Sequence, residues 1–140
     1  MSLFNIFDVA GSGMSAQSVR LNTTASNISN ADSVSSSVDK TYRARHAVFG
    51  AELDRAQAMQ QEGVGVKVLG IVESDAPLNV EFAPNHPMAD EKGYIYKPNV
   101  NIVEEMANMM SASKSYQANI QVVEATKTIL SRTLQLGQGR

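Results

Sequence analysis

The chain has 140 residues, enough for one domain of ordinary size, with 12 basic against 14 acidic side chains and a net charge of −2. That balance offers no basic surface to nucleic acid or an anionic membrane, and no apolar run approaches the roughly 20 residues that span a bilayer. With no cysteine there is no disulfide, thiol nucleophile or zinc–thiolate site.

The first stretch, Leu3 to about Asn30, places Phe7, Met14, Leu21 and Ile28 seven residues apart. Leu3, Ala10, Gln17 and Thr24 fill a second seam position, so the spacing predicts an amphipathic helix. Gly11 and Gly13 each weaken it by about 1 kcal/mol relative to alanine, and let another backbone approach closely. From Asn22 to Asn30 the residues are mainly Asn, Thr and Ser, whose side chains compete for the backbone. Packing has to impose a helix there. Asn5 and Asp8 interrupt the apolar start, and no lysine or arginine precedes Arg20. The positive region of a cleaved signal is therefore missing, and export, if it occurs, is expected by another route.

A polar break at Ser33–Ser37 leads into a region of different character. Residues 40–98 carry fifteen charges, against four in 1–39 and seven in 99–140. Strands are expected over residues 42–50, 64–71 and 78–82, with a turn at Asp90–Gly93 before Tyr94-Ile95-Tyr96, and four prolines punctuate the loops. The middle thus reads as a small β-rich insert of three or four strands.

From Val100 to Leu136 there is no proline or glycine. Alternate steps of four and three give Ile102, Met106, Met109, Ser113, Tyr116, Ile120, Val123, Lys127, Leu130 and Leu134. All but Ser113 and Lys127 are apolar or aromatic, which predicts a second long helix with a narrow seam. At 1.5 Å per residue it would be about 55 Å long. Asn101 reads as its N-cap, with Glu104 completing a capping box. The class is α+β: two long terminal helices, packed as a coiled-coil-like pair, flank the insert. The expected division is 1–38, 39–98 and 99–140. One shared seam buries too little to order both helices, so the ends are expected to fold on assembly.

No constellation reads as catalytic. His46 and His86 lack carboxylates at ligand spacing, and Glu104 and Glu105 suit a helix N-terminus. Gly63 and Gly65 give only G-x-G, and no G-x-S-x-G elbow occurs. Met106, Met109 and Met110 fit helix packing. No metal or cofactor is expected, and no enzyme activity.

Both ends resemble a known family. Leu21, Asn22, Ala25, Ser26, Asn27, Ile28, Ser29, Asn30 and Ala31 resemble the signature A-x-N-[LI]-A-N-x-x-T of bacterial flagellar axial proteins, with serine at Ser29 and Ser33 where members often have alanine and threonine. Tyr116-Gln117-Ala118-Asn119 and Leu134-Gln135-Leu136-Gly137 resemble those proteins' C-terminal helix. The run Tyr94 to Met106, with the short length, resembles the proximal rod members. The resemblance implies a subunit of the axial drive shaft, exported through the flagellar type III apparatus without a cleaved signal. It implies as partners further copies of the chain, the rod proteins FlgB, FlgF and FlgG, and the adaptor FliE. On that reading Phe7, Met14, Leu21, Ile28, Met106, Met109, Tyr116, Ile120, Val123, Leu130 and Leu134 form assembly seams, and Asn22, Asn27 and Asn30 satisfy polar contacts at the interfaces. The alternative is a type III secreted effector or adaptor that binds a partner helix with the same amphipathic ends.

Overall fold

Helix α1 runs over Leu3–Asn30. The computed structural model describes residues 3–52, 63–137 and 139, and the side chain of Leu3 lies outside what it describes. Its polar last turns stay helical because they are packed: Thr23, Thr24 and Asn27 are buried. Serine rather than glycine closes the end. The backbone N–H and Oγ of Ser33 both donate to the Asn30 carbonyl, at 3.1 and 2.7 Å.

The polar break then makes an ordered contact. Ser35 exchanges two backbone hydrogen bonds with Tyr96, at 2.9 and 3.0 Å, and is itself buried. A short 3-10 turn follows at Val38–Lys40.

Strand β1 (Arg45–Ala51) pairs with β2 (Val66–Glu73). Bonds from Ser74 N–H to Ala44 C=O and from Glu52 N–H to Gly65 C=O close the two ends of an antiparallel ladder. Strands β3 (Asn79–Phe82) and β4 (Tyr94–Lys97) form a second antiparallel pair, with Asn79 opposite Lys97 and Phe82 opposite Tyr94. The expected strands fall within two or three residues of those observed, and they form two two-stranded sheets.

Helix α2 spans Ile102–Gly137. Its start is set by Asn101, whose Oδ1 accepts from Val103 N–H at 3.1 Å and Glu104 N–H at 3.4 Å. Asn101 is thus the N-cap, with Glu104 and Glu105 at the positive end of the helix. The architecture is α+β: helices at both chain ends and a small antiparallel insert between them. Its contacts divide into two compact units. The first takes Met1–Val19, Val48–Gly70 and Ser111–Arg140, and the second Arg20–Ala47 and Ile71–Met110.

Candidate assembly surface

Among the described residues of the first unit the buried side chains are small: Asn5, Ala10 and Ala16 on α1, Ala112 and Thr126 on α2. Gly13 fits the preference for small groups. A Cβ there would lie 2.8 Å from Asn119 Nδ2, so an alanine would require the Asn119 side-chain amide to move. Ser12 joins helix to sheet, its Oγ donating to Val9 C=O at 2.9 Å and accepting from Val66 N–H at 3.0 Å.

In the second unit asparagines are the fasteners. Asn27 has no exposed surface. Its Nδ2 donates to Arg45 C=O at 2.8 Å, while Oδ1 accepts from Arg45 N–H and Tyr42 O–H, both at 2.9 Å. One amide therefore replaces a neighbouring strand at the start of β1. Asn99 accepts from Ala44 N–H at 2.8 Å and donates to Ala76 C=O at 2.9 Å, linking the ends of β1 and β2. Arg20 donates to Asn108 Oδ1 at 3.0 Å, joining α1 to α2. Arg45 pairs with Glu73 at 3.0 Å and lies 5.3 Å from the centre of the Tyr42 ring. Burial pushes the Tyr42 phenol above its usual range, with Glu105 and Glu73 adding to the rise and Arg45 opposing it. Tyr42 is thus a protonated donor to Asn27, not a nucleophile.

The β3–β4 hairpin is closed by Asp90. Its Oδ1 accepts from the N–H groups of Lys92 and Tyr94, both at 2.8 Å, and Oδ2 accepts from Tyr96 O–H at 3.1 Å. The Tyr94 N–H bond is the main reason the Asp90 carboxyl sits below the usual carboxylate range. Gly93 completes the turn at φ +82°, a conformation that only glycine adopts cheaply. Phe82 and Tyr94 meet edge to face at 5.2 Å, Lys97 pairs with Glu81, and Ile95 is buried. His86 closes a turn through Met88 N–H, and His46 is exposed. Among the described residues no three His, Asp or Glu side chains group to hold a metal.

The seam residues divide by exposure. Phe7, Met14, Leu21 and Ile28 are half-buried, Asn22 is exposed and Asn30 half-buried. Asn27 has both side-chain polar atoms engaged inside the chain. On α2, Met109, Tyr116, Ile120, Val123 and Leu130 are half-buried, whereas Met106 and Leu134 are exposed. The residues most buried on α2 are Glu105, Ala112 and Thr126, one position before Met106, Ser113 and Lys127. A second apolar stripe escaped sequence reasoning: Val122, Ile129 and Leu136 are exposed, seven residues apart, with Ala118 one turn before Val122 and Ala125 between Val122 and Ile129. The seven-residue interval was the signal that could have found it. Phe4, Val103 and Met110 are also largely exposed. Large apolar side chains at helical spacing on a surface suit association, not chemistry on a small molecule.

Residues 7–35 match the family described as Flagella basal body rod protein, and residues 91–136 that described as Flagellar basal body rod FlgEFG protein C-terminal. The flagellar basal-body rod protein FlgC of Yersinia enterocolitica is 51% identical over 138 residues, covering 99% of this chain and 100% of that protein. FlgC of Salmonella typhimurium is 49% identical over the same coverage, and FlgC of Agrobacterium fabrum 39% identical over 129 residues, 91% and 90% of the two chains. Matched segments at both ends and relatives matched over nine-tenths or more of their length define the class, a structural subunit of the bacterial flagellar basal-body rod. Within that class the chain belongs to the FlgC family of flagellar basal-body rod proteins. The secreted effector left open by the sequence finds no support in these relatives.

Proposed function

We propose that the chain builds the proximal rod by packing its two terminal helices, as a coiled-coil-like pair, against those of neighbouring subunits. The observation that carries this is the accessible apolar spacing on both helices. Phe7, Met14, Leu21 and Ile28 are only half covered by the chain itself, and Val122, Ile129 and Leu136 are exposed. Met106, Met109, Tyr116, Ile120, Val123, Leu130 and Leu134 complete the packing on α2. Close-packed interiors resist deformation, so seams of this kind transmit torque along a shaft.

The neighbours are further copies of the chain, FlgB, FlgF, FlgG and FliE. The subunit reaches the rod through the flagellar type III apparatus without a cleaved signal. Labile terminal segments suit that passage, and the role calls for no enzymatic activity. The insert, roughly residues 39–98, meets the outer neighbours.

Two substitutions test the seam. Ile120→Asp places a charge at a half-buried seam position and blocks rod assembly, giving cells without hooks or filaments. Ile129→Asp does the same from a position 54% exposed in the free chain, where it leaves the fold intact. Motile cells with normal hooks in either strain would refute the corresponding seam.

A further inference from the structure

The two edges of the β3–β4 hairpin are treated differently. Ala83 N–H donates to Gly93 C=O at 2.9 Å, which fixes the phase of the ladder. In the observed register the pairs Glu81–Ile95 and Asn79–Lys97 then bond across the hairpin. The backbone groups of Tyr94 and Tyr96 point outward from β4, and those of Val80 and Phe82 point outward from β3.

The β4 edge is filled. Ser35 takes both outward groups of Tyr96, at 2.9 and 3.0 Å. Asp90 takes those of Tyr94, through its backbone N–H at 2.9 Å and its Oδ1 at 2.8 Å. Among the described residues the β3 edge has no such cover. Its sheet contains only β3 and β4, and all four residues of β3 are exposed. Val80 is 55% and Phe82 63% exposed, on the same face as Tyr94 at 40%. Beside them lies an open groove of about 540 Å3 lined by Val80, Tyr94, Tyr96 and the Asp90–Lys92 turn.

Native edge strands are usually blunted by shortness, charge, a proline or a bulge, and β3 has the first two in its four residues and Glu81. Even so, among the described residues it presents free donors and acceptors beside aromatic surface. We propose that β3 is a docking edge that an extended segment of a different chain joins as a third strand, resting on the reading that the chain stands in the assembled rod. Main-chain bonds to Val80 and Phe82 hold such a strand, and apolar residues at alternate positions cover the Val80–Phe82–Tyr94 face. The Glu81 carboxylate is held by Lys97 on the β4 side, and with its side chain 56% exposed it accommodates a further lysine or arginine on the open side. Charge also selects against a second copy, because an antiparallel pairing in which Val80 and Phe82 of two copies exchange their outward backbone bonds sets Glu81 against Glu81.

The test places the photocrosslinker p-benzoylphenylalanine at position 82 in otherwise complete cells, followed by purification of basal bodies and mapping of the crosslinks. The expected product joins position 82 to a segment of another protein whose residues alternate apolar and polar, with a basic residue at the middle. Val80→Pro removes only an outward N–H and leaves the ladder to β4 whole, so the crosslink yield falls about tenfold, the effect of roughly one lost backbone bond. The urea midpoint of the purified Val80→Pro chain stays near that of the parent. Crosslinks only to another copy, no crosslink in basal bodies that contain the chain, or an unchanged yield with Val80→Pro would overturn the docking edge. Absence of the chain from basal bodies would overturn the rod reading and the docking edge together.

Discussion

Removing the Asn27 amide is the sharpest test of how the second unit is held together. Asn27→Ala strips partners from three groups at once: the N–H and C=O of Arg45 and the hydroxyl of Tyr42. Each group left unsatisfied costs about 1–3 kcal/mol, with the low end fitting these part-buried bonds. The sum is about 3 kcal/mol. With a urea slope of roughly 1.5 kcal/mol per molar, the unfolding midpoint of the purified chain drops by about 2 M. Tyr42→Phe removes one of the three bonds, so the double variant loses less than the sum of the singles. Asn27→Asp keeps the two bonds to Oδ1 but turns a lone pair toward Arg45 C=O in a fully buried place, and is at least as damaging. A midpoint shift below about 0.3 M for Asn27→Ala would refute the assignment of Asn27 as the fastener between α1 and β1.

The two glycines of α1 separate propensity from packing. Nothing lies within 4 Å of a Cβ built on Gly11, so Gly11→Ala raises stability by about 1 kcal/mol. Gly13→Ala meets Asn119 at 2.8 Å, loses that gain and leaves stability unchanged or lower, as thermal unfolding of both variants will report. The Asp90 carboxyl titrates lower in the folded chain than in the unfolded one, so its contribution is present above an unfolded pKa of about 3.9 and lost as pH falls through the folded value. Glu81, its carboxyl lowered chiefly by the Lys97 hydrogen bond, acts in the same direction. Urea unfolding between pH 5.5 and 3 shows a falling midpoint for the parent and a flatter dependence for Asp90→Asn.

The long helices and the β insert were legible because periodicity and turn chemistry are local signals. Asn101 capped its helix as its position three residues before Glu104 indicated. The end of α1 was harder. Residues 22–30 have poor helix propensity, and what holds them is Asn27 bonding to a strand eighteen residues on, which no local rule can see. The interior faces were hidden for a different reason. A reading by hydrophobic size selects Met106 and Leu134, but where α1 comes close at Gly13 the interior takes Ala10, Ala16, Ala112 and Thr126 instead. The large apolar residues are displaced toward the surface, where a neighbouring subunit can cover them. Pairing of Ser35 with Tyr96 joins residues far apart in the chain and left no mark in composition.

On the proposal above, the terminal helices are the assembly surface of a rod subunit. Limited proteolysis with mass spectrometry, run on dilute purified chain and on isolated basal bodies, addresses it most directly. Rapid cutting within residues 3–19 and 111–137 of the free chain, with both segments protected in basal bodies, is the predicted result. Equal protection of those segments in the two states would contradict it, since an assembly surface gains protection when neighbours cover it.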